Sequence, residues 1–336
     1  RPEPDCRDEL MATGSQEPIS LGELLEGCPK NWGRWGDDDE VGALNFLTPA
    51  SVVAAASLIR RGAVFTLQLP MADPKGDPVW PGGSRRPAQR INVRDKGHVI
   101  AGVAGRAPGG IEGCDDVISC SLQGSTQYDA LGHAWYGDQL YNGYDAMSTI
   151  GGMRKASVLP IAERGIVGRG VLLDVARWRG KDSLERGETF DCDDLEACAT
   201  AQGIELRARD ILIIRTGWIE LFRRDPDAFY GGGRGWLEPG LQFSRGLVDW
   251  FHDREIPNLV TDTMGNEVTQ DPVHHVTLPL HIALMSNLGV AFTEIASLGA
   301  LAEDCAQDGV YEVFYAAAPL KVVHGSGSPV NPIAIK

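Results

Sequence analysis

The sequence predicts a single α/β domain, because strand-like and helical segments alternate along the chain. Two largely apolar runs, Val171–Ala176 (VLLDVA) and Ile211–Gly217 (ILIIRTG), are typical of strands that are covered on both faces. No linker divides the 336 residues, which suffice for one large core. Helical periodicity is found between the predicted strands and after them, at Cys192–Gln202, Leu241–Asp253 and Leu298–Gln307.

The other elements are predicted from local signals. A first helix spans Ser51–Arg61, since Thr48 offers an N-cap, Pro49 suits the first turn and Gly62 ends the pattern. Residues Pro70–Gly113 are rich in Gly, Pro and Arg, and we expect long irregular connections with room for a hairpin. The predicted strands are Val64–Leu69, Gly170–Val175, Ile211–Arg215, Asn258–Thr261 and Val313–Ala317.

Composition disfavours several classes of function. A net charge of −15, from 46 acidic and 31 basic residues, repels phosphate backbones and anionic lipid, so we expect neither a nucleic-acid nor a membrane partner. The seven cysteines form no Cys-x-x-Cys pair, which fits a reducing, cytoplasmic location. No apolar run reaches the ~18 residues of a membrane helix. Residues 1–18 are predicted to be a flexible leader before a domain at 19–336, without a signal-peptide pattern.

The stretch QGSTQYDALGH carries the densest group of candidate site residues. Gln123, Gln127, Asp129 and His133 are separated by even steps, so an extended strand would direct them all to one face. Such a face would bring together two carboxamides, a carboxylate and an imidazole. A solvent-exposed polar strand would show the same pattern, and the spacing alone leaves both interpretations open.

A second candidate segment lies nearer the C-terminus. His281 ends the run Leu-Pro-Leu-His, and an apolar stretch then leads to Glu294. A glutamate in apolar surroundings is rarely buried without a partner or a metal. A surface helix end with an incidental histidine is the alternative for this segment.

Several segments resemble the cyclase superfamily that includes kynurenine formamidase and isatin hydrolase. QGSTQYDALGH is similar to that family's His-x-Gly-Thr-His-x-Asp-x-Pro-x-His motif. The resemblance to the longer-chain branch extends over most of residues 31–336 and implies a mixed β-sheet core flanked by helices, of the swivelling β/α type. It is carried by WGRWGDDDEVGALNFLTP, STQYDALGHAWYGDQLYNG, GRGVLLDVAR, ILIIRTGW, LPLHIAL and GSPVNPIAI.

The resemblance also implies roles for individual residues. By position, Asp129, His281 and Glu294 match metal ligands of the family, and His133 matches its general acid/base. Asp129 and Glu294 would also help to activate the attacking water, so they are expected to be catalytic together with His133.

Two glutamines depart from the family pattern. Gln123 and Gln127 stand where the family has its two N-terminal metal-binding histidines. A glutamine carbonyl oxygen binds zinc less readily than imidazole, so the expected ligand set of Gln127, Asp129, His281 and Glu294 favours Mn²⁺ over Zn²⁺. Gln123 would then be a marginal fifth ligand or a substrate contact. Alternatively, the metal has been lost and both carboxamides hydrogen-bond the substrate.

Further substrate contacts are suggested by side-chain type. Ser328, in a Gly-Ser-Gly-Ser-Pro turn, could orient a water or the substrate, although turn chemistry alone explains a serine there. Ordinary core packing is the alternative for the aromatic residues. A wall for a flat substrate could be formed by Trp32, Trp35, Trp135, Tyr136 and Tyr141.

Together these features predict a metal-dependent hydrolase of a C–N bond in an aryl formamide, lactam or cyclic imide. Water would be activated by the metal, and His133 would shuttle the proton, since a free imidazole titrates near ~6.5. A non-hydrolytic cyclase or dehydratase of secondary metabolism, with or without metal, is the main alternative, and a catalytically silent binding protein is a third. We expect a small-molecule substrate and a homodimer or homotetramer.

Overall fold

The computed structural model describes residues 19–79 and 83–336. The predicted leader at 1–18 lies outside the described residues. The strands, in chain order, are β1 (Val64–Thr66), β2 (Gln89–Arg94), β3 (Asp115–Ser119), β4 (Gln127–Asp129), β5 (Ile166–Asp174), β6 (Thr189–Phe190), β7 (Ile211–Arg215), β8 (Gly240–Leu241), β9 (Asn258–Thr261), β10 (Ala291–Glu294), β11 (Glu312–Ala317), β12 (Gly327–Pro329) and β13 (Ile333–Ile335).

Helices flank these strands. A π-helix spans His281–Asn287, and 3₁₀ turns lie at Gly42–Phe46, Tyr141–Gly143 and Ala146–Thr149. The α-helices are α1 (Leu21–Leu24), α2 (Pro49–Ala56), α3 (Lys96–Ile100), α4 (Val158–Arg164), α5 (Val175–Trp178), α6 (Cys192–Ala201), α7 (Trp218–Arg224), α8 (Pro226–Phe229), α9 (Arg245–Asp253) and α10 (Gly299–Asp308).

A mixed nine-stranded sheet forms the core, in the order β1-β13-β11-β5-β7-β9-β10-β4-β12. The four central strands β5, β7, β9 and β10 run parallel, and the strands on either side pair antiparallel. The segments Val171–Asp174 and Ile211–Ile214 are fully buried, as are all residues of β9 and β10. Burial on both faces explains their nearly continuous apolar sequences and confirms the predicted α/β fold with helices around a mixed sheet.

Several predicted bounds shift for local reasons. β7 and β9 coincide with their predicted limits, whereas the predicted helix Leu241–Asp253 begins only at Arg245. The Ser244 side chain caps that helix by accepting a hydrogen bond from the backbone N–H of Leu247 at 3.0 Å. The first helix has the predicted Thr48 cap but ends at Ala56, before Gly62 is reached.

The Gly- and Pro-rich region after residue 70 is largely irregular and contains one element that the sequence analysis left open. β2 and β3 pair antiparallel as a two-stranded ribbon outside the main sheet, with α3 between them in the chain. Ile91, Val93, Val117 and Ile118 on this ribbon are each about half exposed. The ribbon therefore presents aliphatic side chains to solvent.

The predicted extended strand across the first candidate stretch is wrong in its extent. β4 contains only Gln127–Asp129. Turns lie on both sides of it, where the N–H of Gly124 donates to the carbonyl of Ser121 at 3.2 Å and that of His133 to the carbonyl of Ala130 at 2.8 Å. Chain reversal, and not strand alternation, places the two ends of the stretch near each other.

Two features bear on the environment of the chain. No helix among residues 19–79 and 83–336 is long and apolar enough to cross a membrane. The six cysteines of the same ranges are all free thiols: Cys28, Cys114, Cys120, Cys192, Cys198 and Cys305.

Candidate active site

Strand β4 and its two neighbours position the acidic part of the site. Glu294 in β10 lies opposite Gln127, and Gly327 in β12 lies opposite Asp129. Residues two apart on a strand share a face, so the side chains of Gln127 and Asp129 lie on the face that Glu294 also occupies. Tyr128, between them, points into the core on the other face.

Asp129, His281 and Glu294 are brought together by this packing. All three are buried, and one potential ligand atom from each lies within 4.8 Å of the other two. Nε2 of His281 is 3.4 Å from Oε1 of Glu294. Burial and the nearby charge of Asp129 raise the pKa of Glu294 to about 7, because two carboxylates in a low-dielectric site repel each other.

The orientation of His281 is set by Glu267, a buried residue at the end of the loop after β9. Oε1 of Glu267 lies 2.8 Å from Nδ1 of His281, and its carboxylate also accepts the backbone N–H groups of Leu280 at 2.7 Å and His281 at 2.8 Å. With Nδ1–H donated to a carboxylate, Nε2 is left to face Asp129 and Glu294. A carboxylate behind a histidine is the usual support of a metal-ligating imidazole.

The charge on His281 follows from the same contacts. Burial disfavours a charged imidazole, but the hydrogen bonds and charges of Glu267 and Glu294 outweigh it and raise the pKa of His281 to about 10. Without another cation, His281 therefore carries the positive charge that balances the two carboxylates.

The donor set fits a divalent cation. Both carboxylate oxygens of Asp129 and Oε1 of Gln127 are buried without a hydrogen-bond partner in the described part of the chain. Nε2 of Gln127 donates to Oε2 of Glu294 at 2.7 Å, which leaves the Gln127 oxygen free to act as a ligand. Buried oxygens without donors are costly unless a cation compensates them. These atoms, with Nε2 of His281, could hold such an ion.

Gln123 has a different role from the one expected of a metal ligand. Its Nε2 donates to the carbonyl of Ser326 at 2.8 Å and lies 3.3 Å from Nδ1 of His133. A side chain at Gly327 would collide with it, since a Cβ there would lie 2.6 Å from Nε2 of Gln123. Gln123 therefore supports His133, and its expected place as a marginal fifth ligand is not supported.

His133 lies between two hydrogen-bond donors. Nδ1 is near Nε2 of Gln123, and Nε2 is 3.4 Å from Nη2 of Arg85. Burial lowers the pKa of His133, and the charges of Arg85 and His281 add to this effect against that of Asp129. A neutral imidazole at neutral pH is suited to accept a proton.

A cavity of about 380 Å³ opens onto these groups. His133, His281 and Glu294 lie in its wall, together with Arg85, Trp135 and Leu278. Its size suits a small organic molecule.

Of the predicted aromatic wall, Trp135 is the member that lines this cavity. Trp32 is half-buried and donates its Nε1–H to the carbonyl of Ser286 at 2.7 Å. Trp35 packs edge-on against Phe46 at a centroid distance of 5.0 Å. Both tryptophans serve core packing, so their prediction as substrate contacts is wrong.

The remaining predicted substrate contacts also face elsewhere. Tyr136 packs against the core, and the hydroxyl of Tyr141 donates to Asp39 at 2.7 Å. Ser328 is buried opposite Tyr128, on the face of the sheet turned away from Asp129. Its Oγ donates to the carbonyl of Pro329 at 2.9 Å and accepts the N–H of Leu320 at 2.7 Å. These contacts do not place the Ser328 hydroxyl at the cavity.

Two residues of the site escaped sequence analysis. Glu267 follows β9 by six residues, and the rule that polar groups gather after the carboxyl ends of parallel strands could have indicated it. Arg85 lies in the irregular Gly- and Pro-rich region, where no periodicity or motif marked it.

The fold and site define a mixed α/β enzyme with a buried carboxylate–histidine centre beside a small-molecule cavity. The chain belongs to the cyclase family, since the family model described as Cyclase matches residues 63–268. A crystal structure described as a novel cyclase is 40% identical and superposes with a TM-score of 0.82, covering 92% of this chain and 100% of that one. These matches confirm the superfamily that the sequence motifs resemble.

Two isatin hydrolases share the fold at lower identity. Isatin hydrolase A from Ralstonia solanacearum is 21% identical with a TM-score of 0.61, over 86% of this chain and 98% of its own. Isatin hydrolase A from Labrenzia aggregata, bound to benzyl benzoate, is 20% identical with a TM-score of 0.59, over 87% of this chain and 98% of its own. No curated protein sequence matches the chain significantly.

Proposed function

We propose that this cyclase-family enzyme is a metal-dependent hydrolase of a C–N bond in an aryl formamide, lactam or cyclic imide. The observation that carries the proposal is the meeting of Asp129, His281 and Glu294 within 4.8 Å of one another, with unpartnered oxygens beside a base in the same cavity. A buried donor set next to a positioned base is the arrangement that hydrolysis by an activated water requires.

The ion is proposed to be held by Asp129, His281, Glu294 and Gln127. Three of these ligands offer oxygen and one offers nitrogen, which favours Mn²⁺ over Zn²⁺. A divalent cation there would supply Lewis-acid chemistry by acidifying water and polarising a carbonyl oxygen.

His133 is proposed to move the proton. Since Gln123 and Arg85 both donate towards its ring, His133 is kept neutral and can take a proton from the attacking water. The protonated imidazole then gives this proton to the departing nitrogen, which leaves as an amine. Trp135 offers the cavity an aromatic surface for a flat substrate.

Hydrolysis assays with metal-stripped and reloaded protein test the proposal. N-formylkynurenine, isatin and succinimide are offered to protein treated with chelator and then loaded with Mn²⁺ or Zn²⁺. We expect turnover of at least one compound, lost on chelation and restored better by Mn²⁺. Absence of turnover with all three, or equal turnover by stripped protein, would contradict the proposal.

A non-hydrolytic cyclase or dehydratase is the second candidate, and one observation favours it. The imidazolium of His281 can balance Glu267 and Glu294 by itself, so the site can be neutralised without an ion. Stripped protein that converts a substrate without adding water, as shown by an unchanged or 18-Da lighter product mass, would identify this chemistry.

Location and assembly are proposed on separate grounds. The free thiols among the described residues support a reducing, cytoplasmic location. The exposed aliphatic ribbon of β2 and β3 supports a homodimer or homotetramer, because an isolated two-stranded ribbon is only marginally stable in water.

A further inference from the structure

Arg85 is a cationic residue in the wall of the active-site cavity, opposite no assigned partner. It lines the same cavity as His133, His281 and Glu294, and its side chain is half-buried. Its Nη1 donates to the carbonyl of Gln123 at 3.1 Å, and its Nη2 lies 3.4 Å from Nε2 of His133. The guanidinium is therefore held at the base by two contacts with neutral groups.

The charge of Arg85 is not matched by an ion pair. Within residues 19–79 and 83–336, these two contacts are its side-chain hydrogen bonds, and no carboxylate lies within ion-pair distance. A guanidinium has five N–H donors, so most of them remain for a ligand in the cavity. The charge of Arg85 is felt at the site, since it contributes to lowering the pKa of both His133 and Glu294.

The rest of the site makes this cation distinctive. The carboxylates of Asp129 and Glu294 belong to the ion-binding group, and Glu267 is occupied by His281. An anionic ligand would be repelled by these groups unless it lay on the side of Arg85. A guanidinium binds a carboxylate through two parallel hydrogen bonds, and a partly desolvated site strengthens them.

We propose that Arg85 binds a carboxylate of the substrate, so that the enzyme selects amides or imides that carry an anionic group near the scissile carbonyl. With its carboxylate on Arg85, such a substrate has its carbonyl beside His133 and the ion-binding group. The inference that this selects a substrate for cleavage rests on the proposed hydrolytic function, whereas anion binding by Arg85 does not.

Equilibrium binding of benzoate and benzamide tests the proposal without requiring turnover. The two probes have nearly the same shape and differ in charge, and calorimetry gives the Kd of each. Wild-type protein should bind benzoate about 10- to 100-fold more tightly, the effect of a charge-assisted hydrogen-bonded pair. Arg85→Gln should abolish this preference. Arg86→Gln, an exposed arginine of the same loop, should retain it.

Each contrary outcome overturns the assignment. Benzoate bound no more tightly than benzamide by the wild type, or a preference that survives Arg85→Gln, removes the role of Arg85. Loss of the preference in Arg86→Gln as well would reduce it to general charge. A preference abolished by chelator but unaffected by Arg85→Gln would assign the carboxylate to the metal. Thermal melts verify that each variant is folded.

Hydrolysis of a matched pair separates this proposal from the proposed function. In 2-formamidobenzoate and formanilide the same aryl formamide occurs with and without a ring carboxylate. Arg85→Gln should raise KM for the first and leave the second unchanged. If neither is cleaved while benzoate binding depends on Arg85, the hydrolytic function fails and the anion site stands. If both are cleaved with equal KM by wild type and variant, the anion site fails alone.

Discussion

Replacing Glu267 by glutamine should weaken metal binding without removing a ligand. The carboxylate accepts hydrogen bonds from the backbone of Leu280 at 2.7 Å and from the backbone and Nδ1 of His281, both at 2.8 Å. In Glu267→Gln one of these donors must face an NH₂ group, and an unsatisfied buried donor costs about 1–3 kcal/mol. Loss of the carboxylate behind a ligating histidine typically lowers metal affinity by about 10- to 100-fold, equivalent to roughly 1.4–2.7 kcal/mol.

Chelator competition measures this effect as the Kd for Mn²⁺, with thermal melts to monitor folding. Glu238→Gln is the matched control. Glu238 is also a buried glutamate, but it accepts the N–H of Met264 at 3.0 Å and burial raises its pKa well above the usual range, so glutamine mimics its protonated form. We expect the control to keep its Kd within about threefold. Equal weakening in both variants, or none in Glu267→Gln, would refute the orienting role of Glu267.

Three further predictions address the base, the protons and the assembly. His133→Ala should lose about 10²–10⁴ in kcat while metal content is unchanged, and His252→Ala, on α9, should lose neither; near wild-type turnover in His133→Ala would exclude the proton-transfer role. Metal loading at pH 7–8.5 should release about one proton, because His281 has a pKa of about 10 without an ion and must lose its proton to ligate. Affinity should therefore rise about tenfold per pH unit in this range, and titration in weak buffer without proton release would contradict it. Light scattering should give the mass of a dimer or tetramer at micromolar concentration, and a monomer would remove that proposal.

The centre of the fold was predictable because burial on both faces leaves a strong signal in the sequence. β7 and β9 occupy their predicted limits for this reason. Asp129, His281 and Glu294 were indicated by a resemblance to family motifs, and the folded chain places them together. Their approach depends on antiparallel register between β4 and β10, which neither segment specifies alone.

The remainder of the site was hidden for physical reasons. Gln123 reaches His133 through turns, which do not follow the two-residue period of a strand. Aromatic side chains have the same composition whether they line a cavity or fill a core, so Trp135 could not be separated from Trp35. Arg85 gains its significance from its position in three dimensions, since its loop has no periodicity.

Elemental analysis of the purified protein tests the central claim, that Asp129, His281 and Glu294 hold a divalent ion. Protein incubated with Mn²⁺ and desalted should retain about one equivalent per chain, and Asp129→Asn should retain less than about a tenth. Asp138→Asn, the same change at an exposed site nine residues further on, should match the wild type. Wild-type protein with less than about a tenth of an equivalent, or full retention by Asp129→Asn, would contradict the account.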